Sequence, residues 1–229
     1  MNKNIYYIKP NVFYVFKFKD IIKINKTNKN SCNLIVFDNF YENPDEVRNY
    51  ALHQEFIATG NYPGKRTLIH YGNNEIYNKI KCYLIPLGYN IISFNASNLD
   101  DRNGNCAFTI STSKDISKTW IHIDNSNKNS SKNINMSGVL FLTPNAPLNS
   151  GTVFYNFDYN SDYDTNNRIE KYSHDITKWK KIDMIGNVYN RLIIFNADIY
   201  HSINNLFGTN KYDGRLTQNF FFTCEKIDR

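Results

Sequence analysis

From Cys106 onward the chain is a succession of short apolar runs, each closed by turn-forming residues. Ala107–Thr112, Thr119–Asp124, Gly138–Leu142, Thr152–Tyr155, Arg191–Phe195, Tyr200–Ile203 and Leu216–Thr223 carry the apolar, β-branched and aromatic residues, and Asn, Ser, Pro and Gly separate them. Runs this short, bounded this way, read as strands and leave no room for helices. A series of strands buries its apolar faces only by packing sheet on sheet or against helices, so this half of the chain predicts a layered β core. The 17 Tyr and 16 Phe favour the same outcome, because aromatic side chains suit a pleated, half-buried surface.

The first half reads differently. Val12–Phe18 and Leu34–Phe37 are strand-like, with a polar loop over Asn25–Ser31 between them. Asn43-Pro44-Asp45-Glu46 predicts a helix start: Asn as N-cap, Pro at the first helical position, acids in the first turn. Val47, Tyr50, Ala51 and Gln54 continue at helical spacing, so the helix is expected to reach about Glu55. A second helix over Glu75–Leu84 presents Ile76, Ile80 and Leu84 on one face and stops near Pro86. Helices first and strands afterwards predict an α+β, mainly β fold with a double-sheet core flanked by helices. One domain over 1–229 is expected, with supporting strands and helices in 1–104 and the β core in 105–223. The polar stretches Asn125–Asn135 and Asp158–Asn167 are expected as loops bordering a site opening.

Within the β-rich half, His122-Ile-Asp124 is followed far downstream by His201 and Arg215. On a strand over Thr119–Asp124, side chains alternate, so His122 and Asp124 emerge together while Ile121 and Ile123 point the other way. A His and a carboxylate two residues apart, with a distant second His, cap one face of an octahedral iron and leave other positions open. The competing readings are a solvated pair on an edge strand and a core histidine at 201. Of the other histidines, His174 sits in a polar loop and His53 on the first helix. His70 follows Leu68-Ile69, near the mouth of a site or half-buried with its own partners.

Charge and cysteines exclude little and favour little. The net charge of +6 is moderately basic, but the lysines are scattered, which fits a solvated surface better than a nucleic-acid patch. Cys32, Cys82, Cys106 and Cys224 form no C-x-x-C pair and read as reduced thiols of an intracellular protein. The first residues carry no long apolar core and no small-residue cleavage site, so no secretory signal is expected, and no stretch approaches the ~18 apolar residues of a membrane span. A soluble cytoplasmic protein is expected, in the host cytoplasm if the source is viral. The Asn, Lys, Ile and Tyr bias resembles that of AT-rich genomes, among them giant viruses, bacteria and phages.

Specific resemblance lies around the candidate ligands. W-I-H-I-D at 120–124, S-G-V-L-F-L-T-P at 137–144 and S-G-T-V-F-Y at 150–155 resemble the first half of the 2-oxoglutarate/Fe(II)-dependent dioxygenase core. N-R-L-I-I-F-N-A-D-I-Y-H-S at 190–202 and G-R-L-T-Q-N-F-F-F at 214–222 resemble its second half. F-D-N-F-Y-E-N-P-D at 37–45 and Y-P-G-K-R at 62–66 are similar to a poorly characterised branch of that superfamily. The resemblance implies a double-stranded β-helix, or jelly roll. It implies His122, Asp124 and His201 as ligands of Fe(II), with Arg215 gripping the distal carboxylate of 2-oxoglutarate and Thr217 assisting from the same strand face. Tyr155 and Asn190 are further candidates beside the co-substrate, and Arg191 and Arg66 are the alternatives to Arg215. The implied reaction uses O2, converts 2-oxoglutarate to succinate and CO2, and hydroxylates a small molecule or a protein side chain. The alternatives are oxidative demethylation of nucleic acid on the same core, and a catalytically silent jelly-roll module for binding or structure.

Overall fold

The structure, a computed structural model, describes residues 13–16, 34–57, 62–68, 71–94, 105–124, 133–158 and 169–227. Two antiparallel sheets make the body. The larger one contains β1 (Phe13–Phe16), β2 (Leu34–Phe37), β3 (Lys65–Arg66), β4 (Tyr89–Ser93), β5 (Phe108–Ser111), β6 (Asn133–Phe141), β9 (Leu192–Asn196) and β11 (Arg215–Lys226), in the order β1-β2-β9-β6-β11-β5-β3, with β4 beside the far end of β11. The smaller sheet is β10 (Tyr200–Ile203), β7 (Thr152–Phe157) and β8 (Trp179–Ile185), in that order. Helices α1 (Pro44–Leu52) and α2 (Asn74–Leu84) complete the expected α+β, mainly β jelly-roll architecture.

Side-chain alternation explains the layers. In β2, Ile35 and Phe37 join the apolar cluster beneath the helices, which also contains Ala51, Leu52, Ile80 and Leu84, while Leu34 and Val36 face the other sheet. A run buried on both faces needs no polar alternation, which is why Leu34–Phe37 is legible as a strand of unbroken apolar character. The sheets meet where Phe154 of β7 packs edge-on against Phe195 of β9, ring centroids 5.1 Å apart. A third cluster, with Val153, Tyr155, Phe157, Trp179 and Ile121, covers the other face of β7.

β11 is the strand that turns sequence into a site. Leu216, Phe220 and Phe222 point to the helix side. Arg215, Thr217, Asn219 and Phe221 alternate with them and face a cavity between the sheets. Gln218 is the polar exception on the apolar side; the Tyr41 hydroxyl donates to it at 2.6 Å and it donates to the Cys106 carbonyl at 3.2 Å. Burial pushes the Cys106 and Cys224 thiols up to about 12, as expected of inert core cysteines. Among the described residues no helix is long and apolar enough to cross a membrane.

Several expectations are corrected. Asn43 makes no side-chain cap bond, and α1 ends at Leu52 because the chain turns extended to bridge Ile57 with Arg66. The true side-chain cap is on α2, where Asn73 accepts from the Ile76 amide at 2.9 Å. Thr119–Asp124 forms no strand but a single bridge at His122. The reason is that its amides find three separate acceptors: Ser173 for Ile121, His201 for His122 and Ala197 for Asp124. Strand β6 begins at Asn133, inside the expected loop 125–135, and β3, β4 and β8 were not expected at all. The rest of that loop and most of Asp158–Asn167 fall outside the described residues, as do His70, Cys32 and the loop Asn25–Ser31.

Gly64 holds β3 against β5. Its φ is +88°, and a Cβ there would fall 2.1 Å from the Ile110 carbonyl oxygen. Gly64→Ala is therefore expected to destabilise the protein by about 3 kcal/mol. A melting curve should show this as a fall of roughly 10 °C; an unchanged curve would mean that β3 does not dock as seen.

Candidate metal centre

The expected ligands come together, and backbone pairing explains how. His122 and His201 are directly opposed across an antiparallel bridge, with the His122 amide donating to the His201 carbonyl at 3.0 Å and the reverse bond at 2.9 Å. Opposed residues of a pair project to one side, so the two imidazoles lie together, ring centroids 4.5 Å apart. Asp124, two residues on from His122, reaches the same point. Its Oδ1 lies 3.6 Å from His122 Nε2 and its Oδ2 lies 3.4 Å from His201 Nε2. Asp124 is exposed as a residue, but its carboxylate turns inward, with 18% of the side chain open.

Each imidazole is fixed through its other nitrogen. His122 Nδ1 meets the Trp120 carbonyl at 3.0 Å, and His201 Nδ1 meets the Ile199 carbonyl at 2.8 Å. A carbonyl only accepts, so Nδ1 carries the hydrogen in both rings and the neutral rings present bare Nε2 lone pairs to the carboxylate. Lone pairs facing a carboxylate repel unless a cation stands between them. The donor set therefore fits a metal ion, with backbone carbonyls as the groups that orient the ligands. All three ligand atoms lie within 4.8 Å of one another. Neighbouring ligands of an octahedral ion with bonds of about 2.1 Å stand about 3.0 Å apart, so the His–Asp distances of 3.6 and 3.4 Å need close by only about half an ångström, and the widest pair by up to about 1.8 Å. Burial favours the neutral carboxyl of Asp124, but His201 and His122 overcome it and hold the group well below the usual carboxylate range. Burial also works against a charged His122, yet its contacts with Asp124 raise the ring above its ordinary value.

The cavity above this cluster has a volume of about 110 Å³ and is walled by Tyr62, Trp120, Val139 and Phe221, with polar groups from β5 and β11. Arg215 lies in it, 4% exposed, with Nε donating to the Ser150 carbonyl at 3.0 Å and its guanidinium 5.3 Å from the Phe141 ring centre. No carboxylate among the described residues pairs with it, and burial lowers it to about 10, leaving it charged at neutral pH. Thr217, its expected companion, is 1% exposed and lines the same cavity.

Other expected residues lie elsewhere. Tyr155 is not a cavity residue; it packs in the cluster with Ile121 and Trp179, where its hydroxyl accepts from Ser202 at 3.4 Å. Asn190 adopts φ of 63° and spends its amide on Tyr41, accepting from that backbone N–H and donating to that carbonyl, each at 2.8 Å. Arg191 forms a forked ion pair with Asp38 at 2.6 and 2.9 Å, which removes it as an alternative to Arg215. Arg66, the other alternative, does line the cavity. His174 is exposed, and His53 ends α1 with Nδ1 2.7 Å from the Asn49 carbonyl. Asn219, Thr109 and Trp120 are cavity residues with no assigned role in the sequence reading. Continuing the alternation Arg215, Thr217 by one more step would have found Asn219, which donates to Thr109 at 3.0 Å.

The model of a family described as of unknown function, DUF6445, matches residues 20–222. No curated protein matches the chain in sequence. Among solved structures it is similar to HygX from Streptomyces hygroscopicus with nickel and 2-oxoglutarate bound, at 8% identity over 91% of this chain and 87% of that one, TM-score 0.49. It is also similar to a prolyl hydroxylase from Trichoplax adhaerens in complex with a hypoxia inducible factor peptide, at 14% identity over 87% and 86% of the two chains, TM-score 0.46. A prolyl-4-hydroxylase from Pseudomonas putida is similar at 14% identity over 86% and 93%, TM-score 0.41.

Proposed function

The chain belongs to the DUF6445 family, and we propose that it is an Fe(II)- and 2-oxoglutarate-dependent oxygenase that hydroxylates a small molecule or a protein side chain. The observation that carries this reading is the convergence of two Nε2 lone pairs and one carboxylate beside a buried arginine that has no anionic partner among the described residues. Three protein ligands on one side of an octahedral ion leave positions for a chelating co-substrate and O2. Bound iron would supply oxygen activation, coupled to conversion of 2-oxoglutarate to succinate and CO2.

The chain's own residues do the rest. His122, Asp124 and His201 hold the ion, and the Trp120 and Ile199 carbonyls keep both rings in the ligating tautomer. Arg215 forms a charge-assisted pair with the distal carboxylate of the co-substrate through its Nη groups, since Ser150 takes Nε and no carboxylate pairs with it among the described residues. Thr217 adds a hydroxyl from the same strand face. Trp120, Tyr62 and Phe221 give the cavity apolar walls that limit water near the reacting atoms. The test is succinate formation from 2-oxoglutarate with Fe(II), O2 and candidate substrates. Formation that requires Fe(II) is the expected result, and purified protein that binds neither Fe(II) nor 2-oxoglutarate would sink the reading.

Acidification should move the stability of the metal-free protein and the stabilisation by added metal in opposite directions. A ring whose folded pKa is raised adds stability that is fully present below its unfolded value near 6.5 and is lost as pH rises through the folded value. The metal-free protein is therefore expected to gain stability from His122 between pH 8 and 6. Stabilisation by a redox-silent ion such as Zn(II) should shrink over the same interval, because protons compete for Nε2. Melting curves with and without Zn(II) at both pH values would check this; a Zn(II) effect that does not change with pH would contradict imidazole ligation.

A further inference from the structure

The cavity holds a second guanidinium that the metal and co-substrate leave unused. Arg66 sits on β3 in register with Thr109 of β5, and Thr109 is in register with Thr217 of β11, so the three side chains share one sheet face. The Arg66 backbone is tied on both sides, by two hydrogen bonds of 2.9 Å to Ile57 and by its pairing with β5. Its guanidinium lies 4.1 Å over the Tyr62 ring, which fixes the plane of the fork. Its Nε is buried without a hydrogen-bond partner, and no carboxylate pairs with it among the described residues. Asp124, the acid whose charge Arg66 feels, is committed to the two imidazoles.

A divalent ion and Arg215 bring three positive charges, and Asp124 and 2-oxoglutarate bring three negative ones. These cancel, and Arg66 is left over as a half-buried cation facing the remaining space. We propose that Arg66, stacked on Tyr62, is the specificity residue for the prime substrate and that this substrate carries a carboxylate, which the guanidinium fork takes in a planar, two-bond pair. The inference rests on the oxygenase reading for the site's other occupants, but the Arg66 geometry stands without it.

The test uses a matched pair of probes, benzoate and benzamide, which differ in charge and hardly in shape. Zn(II)-loaded protein saturated with 2-oxoglutarate is titrated with each and followed by ligand-observed NMR. Benzoate is expected to bind at least about tenfold tighter than benzamide. Arg66→Gln is expected to erase that preference while leaving 2-oxoglutarate affinity unchanged. Equal binding of the two probes by the wild type, or a preference that survives Arg66→Gln, overturns the inference. So does a variant that loses 2-oxoglutarate, since Arg66 would then be the co-substrate residue. If Arg66→Gln does not fold, Arg66→Lys carries the test: a reduced preference supports the assignment, and one identical to wild type places the anion elsewhere. Repeating the titrations on metal-free protein without 2-oxoglutarate separates the two readings. A wild type that binds no metal or co-substrate yet loses benzoate on Arg66→Gln would refute the oxygenase and keep the anion site.

Discussion

Asp124→Ala is expected to abolish metal binding and reduce any turnover to below about 1% of wild type, with the fold intact. Losing a group that merely orients a metal ligand costs about 10- to 100-fold in affinity or activity, so losing a ligand itself should exceed that. Asp124 is also the only acid of the set, and without it two neutral imidazoles remain with no charge to oppose the ion. His122→Ala and His201→Ala should follow the same pattern. His201 carries a larger stability cost, because its side chain is 8% exposed and its ring packs edge-on against Phe195 at 4.7 Å. Metal content after desalting and a melting curve, read together, check the prediction. Full metal occupancy in Asp124→Ala would place the ion elsewhere.

Arg215→Met should have two opposite effects. In the ligand-free protein a buried cation with one hydrogen bond and no ion pair among the described residues opposes folding, and burial already lowers it to about 10. Replacing such a group by an apolar side chain of similar length is expected to stabilise the fold by about 1–4 kcal/mol, or raise the melting temperature by about 2–15 °C. The same change removes the partner of the co-substrate carboxylate. Truncating one side of a buried charge pair costs about 2–5 kcal/mol, so 2-oxoglutarate affinity should fall at least about 30-fold. A variant that is both more stable and unable to bind 2-oxoglutarate would identify Arg215 as a residue kept for binding at the expense of stability. A destabilised variant with normal affinity would make it structural.

What was legible in the sequence depended on whether the signal was local. Leu34–Phe37 and Tyr200–Ile203 were read to the residue, since an apolar run closed by turn residues defines its own ends. The β8 strand, Trp-Lys-Lys-Ile-Asp-Met-Ile, was missed because it lies at the edge of the small sheet and exposes its lysines. The His122–Asp124 pair that converges with His201 was legible because it needs only i, i+2 alternation, although the extended segment proved to be a single bridge. Asn190 and Tyr155 were misplaced for a related reason: both lie beside site motifs in sequence, but a left-handed turn and an outward-facing register direct them away. Arg66 is legible in the sequence only as an alternative to Arg215; its place beside Arg215 comes from tertiary pairing, because nothing near Lys65-Arg66 says that β3 docks next to β5 and delivers its guanidinium into the cavity.

The most direct test of the central claim is an anaerobic calorimetric titration of 2-oxoglutarate into the protein, with and without stoichiometric Fe(II). The donor set and Arg215, which no carboxylate pairs among the described residues, predict binding of one 2-oxoglutarate per chain that depends on Fe(II) and disappears in Asp124→Ala. Binding that is indifferent to the metal, or a wild-type protein that takes up no Fe(II), would contradict the account.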